Sequence, residues 1–288
     1  MRSSRRAGAL LVVTVTCGLL FAAPDRGHPA IRAQAAPAGT RSAGPRVEAA
    51  PMDHGLFDSL LVRHVVHGMV DYEAFATAPA FRVYLQQLAD ARPDGWPEDD
   101  RLAFWLNVYN AYTIQLIVVH GERQSIRNIN RTLGVLRLKG PWSEPIVHAA
   151  GRRYTLDEVA HRILRKQFSE PRVHVAMTDA ARGSPPLRSE AYTGPELETQ
   201  LVDQMRRFLG EPRKNRIRAG AVWLSPVFTA YRRDFGASTA EFGEFLAPYF
   251  TGKERELLLG GRFRITPTRF DWGLNAQRPA VDSSTTGR

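Results

Sequence analysis

Residues 102–120, Leu-Ala-Phe-Trp-Leu-Asn-Val-Tyr-Asn-Ala-Tyr-Thr-Ile-Gln-Leu-Ile-Val-Val-His, contain no Asp, Glu, Lys or Arg. A helix formed here carries apolar side chains on nearly every face and offers no side to water. It must be surrounded by the rest of the chain, so the fold has to supply packing elements all around it. Asp99 and Asp100 ahead of it suit the positive end of a helix, and Gly121 behind it suits a left-handed stop. Asn107 and Asn110 lie within this segment, beside Trp105 and Tyr109. Buried amides must find hydrogen-bond partners, so they either clamp the backbone of a neighbouring loop or polarise a ligand.

The remaining pattern is helices with a few strands between them. Phe57–Val66 suits a short helix, Gly68–Tyr72 an extended exit, and Ala80–Ala91 a helix with Phe81, Tyr84, Leu85 and Leu88 on one face. Thr155 and Glu158 have the spacing of a capping box that opens a helix to Lys166. Thr193–Glu196 and Ser238–Glu241 repeat that signal, and Ser225-Pro226 opens a helix over Val227–Asp234. Strands are expected at Ile146–Ala149, turning through Gly-Arg-Arg to Tyr154, at Arg172–Met177 by its alternation, at Ala221–Leu224 and at Arg262–Ile265. The class that follows is α+β, mainly helical with a small β-sheet, in a single domain.

The ends read differently. Arg2, Arg5 and Arg6 precede an apolar run from Ala7 to Ala23, the order of a secretory signal, with Ala33-Gln34-Ala35 as one cleavage pattern and Phe21–Ala23 as another. We read residues 1–35 as a signal peptide, 36–52 as a disordered Ala-, Pro- and Gly-rich linker, 53–277 as the folded domain and 278–288 as a flexible tail. A periplasmic or secreted protein follows, with no stable membrane span once the signal is cleaved. The single cysteine, Cys17, falls inside the apolar run, so the mature chain carries no thiol and no disulfide. Removing residues 1–35, with five arginines and one aspartate, takes the formal charge from +10 to +6. Without a localised basic stripe that excess does not point to nucleic acid.

Six stretches stand in an order that resembles the family known as domain of unknown function 547. They are Ala103–Ala111, Thr155–Arg165, Arg172–Met177, Ser184–Arg188, Leu224–Phe228 with Arg233–Phe235, and Phe270–Asn275. The resemblance spans roughly Asp53 to Asn275 and implies no particular activity. Relatives typically read Asn-Cys, four residues, then Cys-Pro-Pro-Leu after the third stretch. Here those positions are Thr178, Asp179 and Ser184, so any thiol chemistry the resemblance implies does not carry over.

His174, Thr178, Asp179, Arg182 and Ser184 fall within eleven residues after an expected strand, where loops commonly carry chemistry. One reading makes Ser184 a nucleophile, His174 its base and Asp179 the orienting carboxylate of a hydrolase or transferase. Against it, Pro185 removes a backbone N–H from any oxyanion hole, and the nucleophile-elbow surroundings are missing. Ser184 then becomes a turn serine in a Gly-Ser-Pro-Pro loop. His161 with His174 and Asp179 lacks metal-site spacing, so no metal and no cofactor is implied. The favoured reading is an exported domain that binds a small molecule or an envelope component, with Asn107, Asn110, Thr178, Arg182, His161 and Asp271 as candidate contacts.

Overall fold

The computed structural model describes residues 50–130, 140–218 and 220–277. The expected signal peptide, the expected linker up to residue 49 and the expected tail from 278 lie outside the described residues.

The apolar segment forms α4, Glu98–His120. It begins one turn earlier than its apolar run, because Glu98, Asp99 and Asp100 occupy the first turn, where their charge meets the helix's exposed N–H groups. Gly121 ends it in the left-handed conformation, and Glu122 N–H reaches back to the Ile117 carbonyl, which closes the Schellman pattern. Every residue from Leu102 to Ile114 is buried, and Phe104, Leu106 and Val108 have no exposed surface.

Around α4 lie α1 (Gly55–His64), α2 (Tyr72–Thr77) and α3 (Pro79–Asp90), whose Phe57 and Tyr84 rings stack at 4.8 Å. Between α1 and α2 the chain makes a two-strand hairpin, β1 (Val65–Val66) with β2 (Met69–Val70), where a longer helix and an extended exit were expected. The reason lies in the turn: His67 and Gly68 both take positive φ, at 49° and 77°, the two-residue type I′ turn that antiparallel strands favour. β3 (Val147–Ala149) and β4 (Arg152–Tyr154) form a second hairpin. Its turn is Ala150-Gly151 rather than Gly-Arg-Arg, so Arg152 and Arg153 belong to the strand.

Thr155 and Glu158 make both bonds of the expected capping box. The helix they open is α5 (Leu156–Glu158) running into a π-helical stretch, Val159–Leu164, and then α6 (Arg165–Gln167). The expected strand at Arg172–Met177 is instead one helical turn, α7 (Val173–Ala176). All four of its residues are buried, so the alternation marks no solvent face, and a short apolar run does not distinguish strand from helix.

α8 (Leu197–Leu209) begins without a side-chain cap, since the Thr193 N–H goes to Gln200 rather than Thr193 capping Glu196. A second core cluster, with Phe208, Phe228, Phe235 and Phe242, joins α8 to a three-stranded sheet of β5 (Arg216–Arg218), β6 (Ala221–Leu224) and β7 (Ile265–Pro267). β7 pairs parallel to β6 and lies further along the chain than expected. Ser225 caps α9, which stops at Ala230 rather than Asp234. Ser238 caps α10 (Thr239–Leu246), as its spacing implied, and α11 (Gly252–Leu259) follows. The architecture is mainly helical α+β with small sheets.

After β7 the chain returns to the first core as a strap. Gly183 N–H bonds to the Asp271 carbonyl, Arg182 N–H to Gly273, Asn275 N–H to Ala180 and Val70 N–H to Asn275. The 180–183 loop and the β1–β2 hairpin are thereby tied to one segment.

Candidate functional site

The long amides of α4 set the start of the candidate loop. Asn110 donates to the Ala176 carbonyl at 2.9 Å and accepts from Thr178 N–H at 3.0 Å. Asn107 does the same for Tyr192, at 2.7 and 3.0 Å. Each amide uses both its functions on backbone, so these residues act as clamps. Thr178 is held by its N–H, and its buried hydroxyl has no partner among the described residues.

Ser184 and Asp179, the two positions at which the resemblance implies cysteines, meet in space. The Ser184 Oγ donates to Asp179 Oδ2 at 3.2 Å and accepts the Asp179 N–H at 2.9 Å. Tyr109 donates to the other carboxylate oxygen at 3.3 Å. Burial pushes the Asp179 carboxyl above its ordinary range, opposed by these two hydrogen bonds and by the nearby His161. Ala180 between them has φ of 53°, uncommon for a residue with a Cβ and a mark of a loop over-determined by its surroundings. Gly183 has no room for a side chain, because a Cβ there would lie 2.6 Å from the Asp271 backbone nitrogen.

His174 is not part of this group. Its Nε2 lies 2.7 Å from Asp234 Oδ2, its ring stacks on Tyr231 at 3.9 Å, and Phe235 meets it edge-on. Arg165 holds the same Asp234 through two bonds, at 2.5 and 2.9 Å. Burial lowers the His174 pKa against the pull of Asp234, which favours the neutral ring. The expected Ser–His–Asp arrangement is therefore replaced by two separate pairs, Ser184–Asp179 and His174–Asp234. The physical reason is the helical turn at α7, which sends His174 toward the second core. His161, on the π stretch, is a second histidine neighbour of the Tyr231 ring, with centroids 6.1 Å apart. Among the described residues no three His, Cys, Asp or Glu side chains converge as metal ligands would.

A cavity of about 950 Å³ opens on the far side of the loop. Its walls come from the β1–β2 hairpin, the 181–187 segment, the end of α8 with the turn after it, and the strap around Asp271 and Asn275. Arg182 and Asp271, both expected near a site, stand exposed at this cavity; Asp271 also accepts the Gly273 N–H at 2.9 Å. Lys214 donates to the Ser184 carbonyl at 2.8 Å and pairs with Glu211, fixing the loop from the cavity side. Gln204, Lys214, Arg213 and Arg269 were not singled out from the sequence, since they are ordinary polar residues of a helix and two turns. The hairpin wall did have a legible signal: Val-Val-His-Gly-Met-Val places a two-residue Gly-containing turn between β-branched and apolar residues.

No curated protein and no solved structure matches the chain. The segments 53–92 and 210–275, which the resemblance also took in, lie outside the match that is found. That match is to the family described as Protein of unknown function, DUF547, to which the chain is similar over residues 93–209.

Proposed function

We propose that the folded unit is an exported ligand-binding domain, with the cavity beside the 181–187 segment as its binding site. The observation that carries this reading is the cavity of about 950 Å³ itself, walled by a hairpin, a helix end and a strap that hydrogen bonds hold together. That volume suits one small molecule rather than a polymer. A pre-formed site of this kind loses little to ordering when a ligand enters.

Two observations weigh against a nucleophilic serine. Ser184 is 1 % exposed, and its hydroxyl is occupied by Asp179 through both donation and acceptance, with no imidazole among its partners. A hydroxyl bonded in this way closes a turn. No fluorophosphonate labelling of the folded protein is expected, and labelling abolished by Ser184→Ala would restore the hydrolase reading.

The binding reading is tested by titrating the full chain with a fragment library and following backbone amide shifts. Shifts clustered at Gly68, Arg182 and Lys214 are expected. Shifts confined to other surfaces would remove the cavity from consideration. Export is tested separately, by sequencing the mature N-terminus from fractionated cells; a cytoplasmic protein beginning at Met1 would end that part of the proposal.

A further inference from the structure

We infer that the cavity takes a single-chain anionic amphiphile, a deduction that rests on the cavity being the binding site. Two features of the walls lead there. The first is charge: five cationic side chains line the cavity against two acidic ones. Lys214 is engaged by Glu211 and Arg207 by Asp203. Arg182, Arg213 and Arg269 are exposed and, among the described residues, have no carboxylate partner. Guanidinium groups are fork-shaped donors suited to carboxylate or phosphate oxygens.

The second feature is apolar. Val62 and Val66, 61 % and 51 % exposed, lead into walls made by Met69 and Leu187. Water-exposed valines around an open cavity gain when an alkyl chain covers them. An acylated amino acid and a single-chain phospholipid with a glycerol head share the required chemistry of chain and anion.

The experiment uses the full chain and soluble probes below their micelle concentrations. N-Dodecanoylglycine has the chain and the carboxylate; dodecyltrimethylammonium keeps the chain and reverses the charge. Lysophosphatidylglycerol and phosphatidylglycerol vesicles separate a monomeric phosphate source from a bilayer. Calorimetry should show N-dodecanoylglycine binding, and dodecyltrimethylammonium binding at least about tenfold more weakly because the unpaired arginines repel it. Arg213→Glu combined with Arg269→Glu, both on exposed positions, should weaken the glycine probe by about tenfold or more and abolish most of its salt dependence. Binding of either anionic monomer with these losses supports the inference. Equal binding of the cationic probe, or no effect of charge reversal, overturns the anionic class while amide shifts in the cavity keep the binding reading alive. Vesicle binding with no monomer shifting the cavity residues overturns both.

Discussion

Acid should destabilise this fold through His54 by an amount its surroundings allow to be worked out. His54 precedes α1, is 6 % exposed, lies against the Phe104 ring and shares a 2.8 Å hydrogen bond between its Nδ1 and the Tyr84 hydroxyl. Burial lowers its pKa to about 4, with Asp53 opposing only part of the shift. An unfolded chain binds this proton near the ordinary value of 6.5, so between about 6.5 and about 4 the unfolded state carries more protons than the folded one. Stability is then complete above the upper value, falls as the pH drops through this window, and levels off once both states are protonated. At about 1.4 kcal/mol per pH unit the loss attributable to His54 is about 3 kcal/mol. Urea unfolding at a series of pH values from 7 to 4, for the wild type and His54→Gln, would isolate it, because glutamine keeps a polar partner for Tyr84 and every other titrating group cancels in the comparison. The wild type should lose about 3 kcal/mol more than the variant across the window. Parallel curves, agreeing within about 0.5 kcal/mol, would refute the burial argument.

Three further outcomes follow from packing and hydrogen bonds, each read by chemical denaturation. Leu106→Ala, at a position with no exposed surface, should cost about 2–5 kcal/mol; a loss below about 0.5 kcal/mol would place Leu106 outside the core. Asn110→Ala leaves the Ala176 carbonyl and the Thr178 N–H unpaired in a buried setting and should cost at least about 2 kcal/mol, whereas a substitution at the exposed Arg269 should be near neutral. Gly183→Ala forces a methyl against the Asp271 backbone and should cost about 1–3 kcal/mol, with amide shifts on both the loop and the strap; an unchanged spectrum would mean that the two segments are not in contact.

What could be read in advance depended on whether the signal was local. The α4 helix, the Thr155–Glu158 box and the Ser238 cap are set by residues three or four apart or by a continuous apolar run, and they stand where the spacing puts them. The α7 turn was misread because period-2 alternation has meaning only when one face meets water, and here both faces are buried by different cores. The site suffered more from distance in the chain. His174, Asp179 and Ser184 are close in sequence, which suggested a triad, yet the partner of His174 is Asp234, sixty residues away. The cavity joins residues from 62 to 275, and nothing in any one stretch marks Gln204 or Arg269 as its wall.

The contact between Asp179 and Ser184 has a consequence for how this protein responds to its surroundings. An alcohol and a carboxyl exchange a proton bond but no electrons, so the loop they close stays closed in oxidising and reducing media alike. The latch they make is answerable to acidity rather than to electrons, and the geometry of the cavity wall is accordingly indifferent to glutathione, thioredoxin or oxygen.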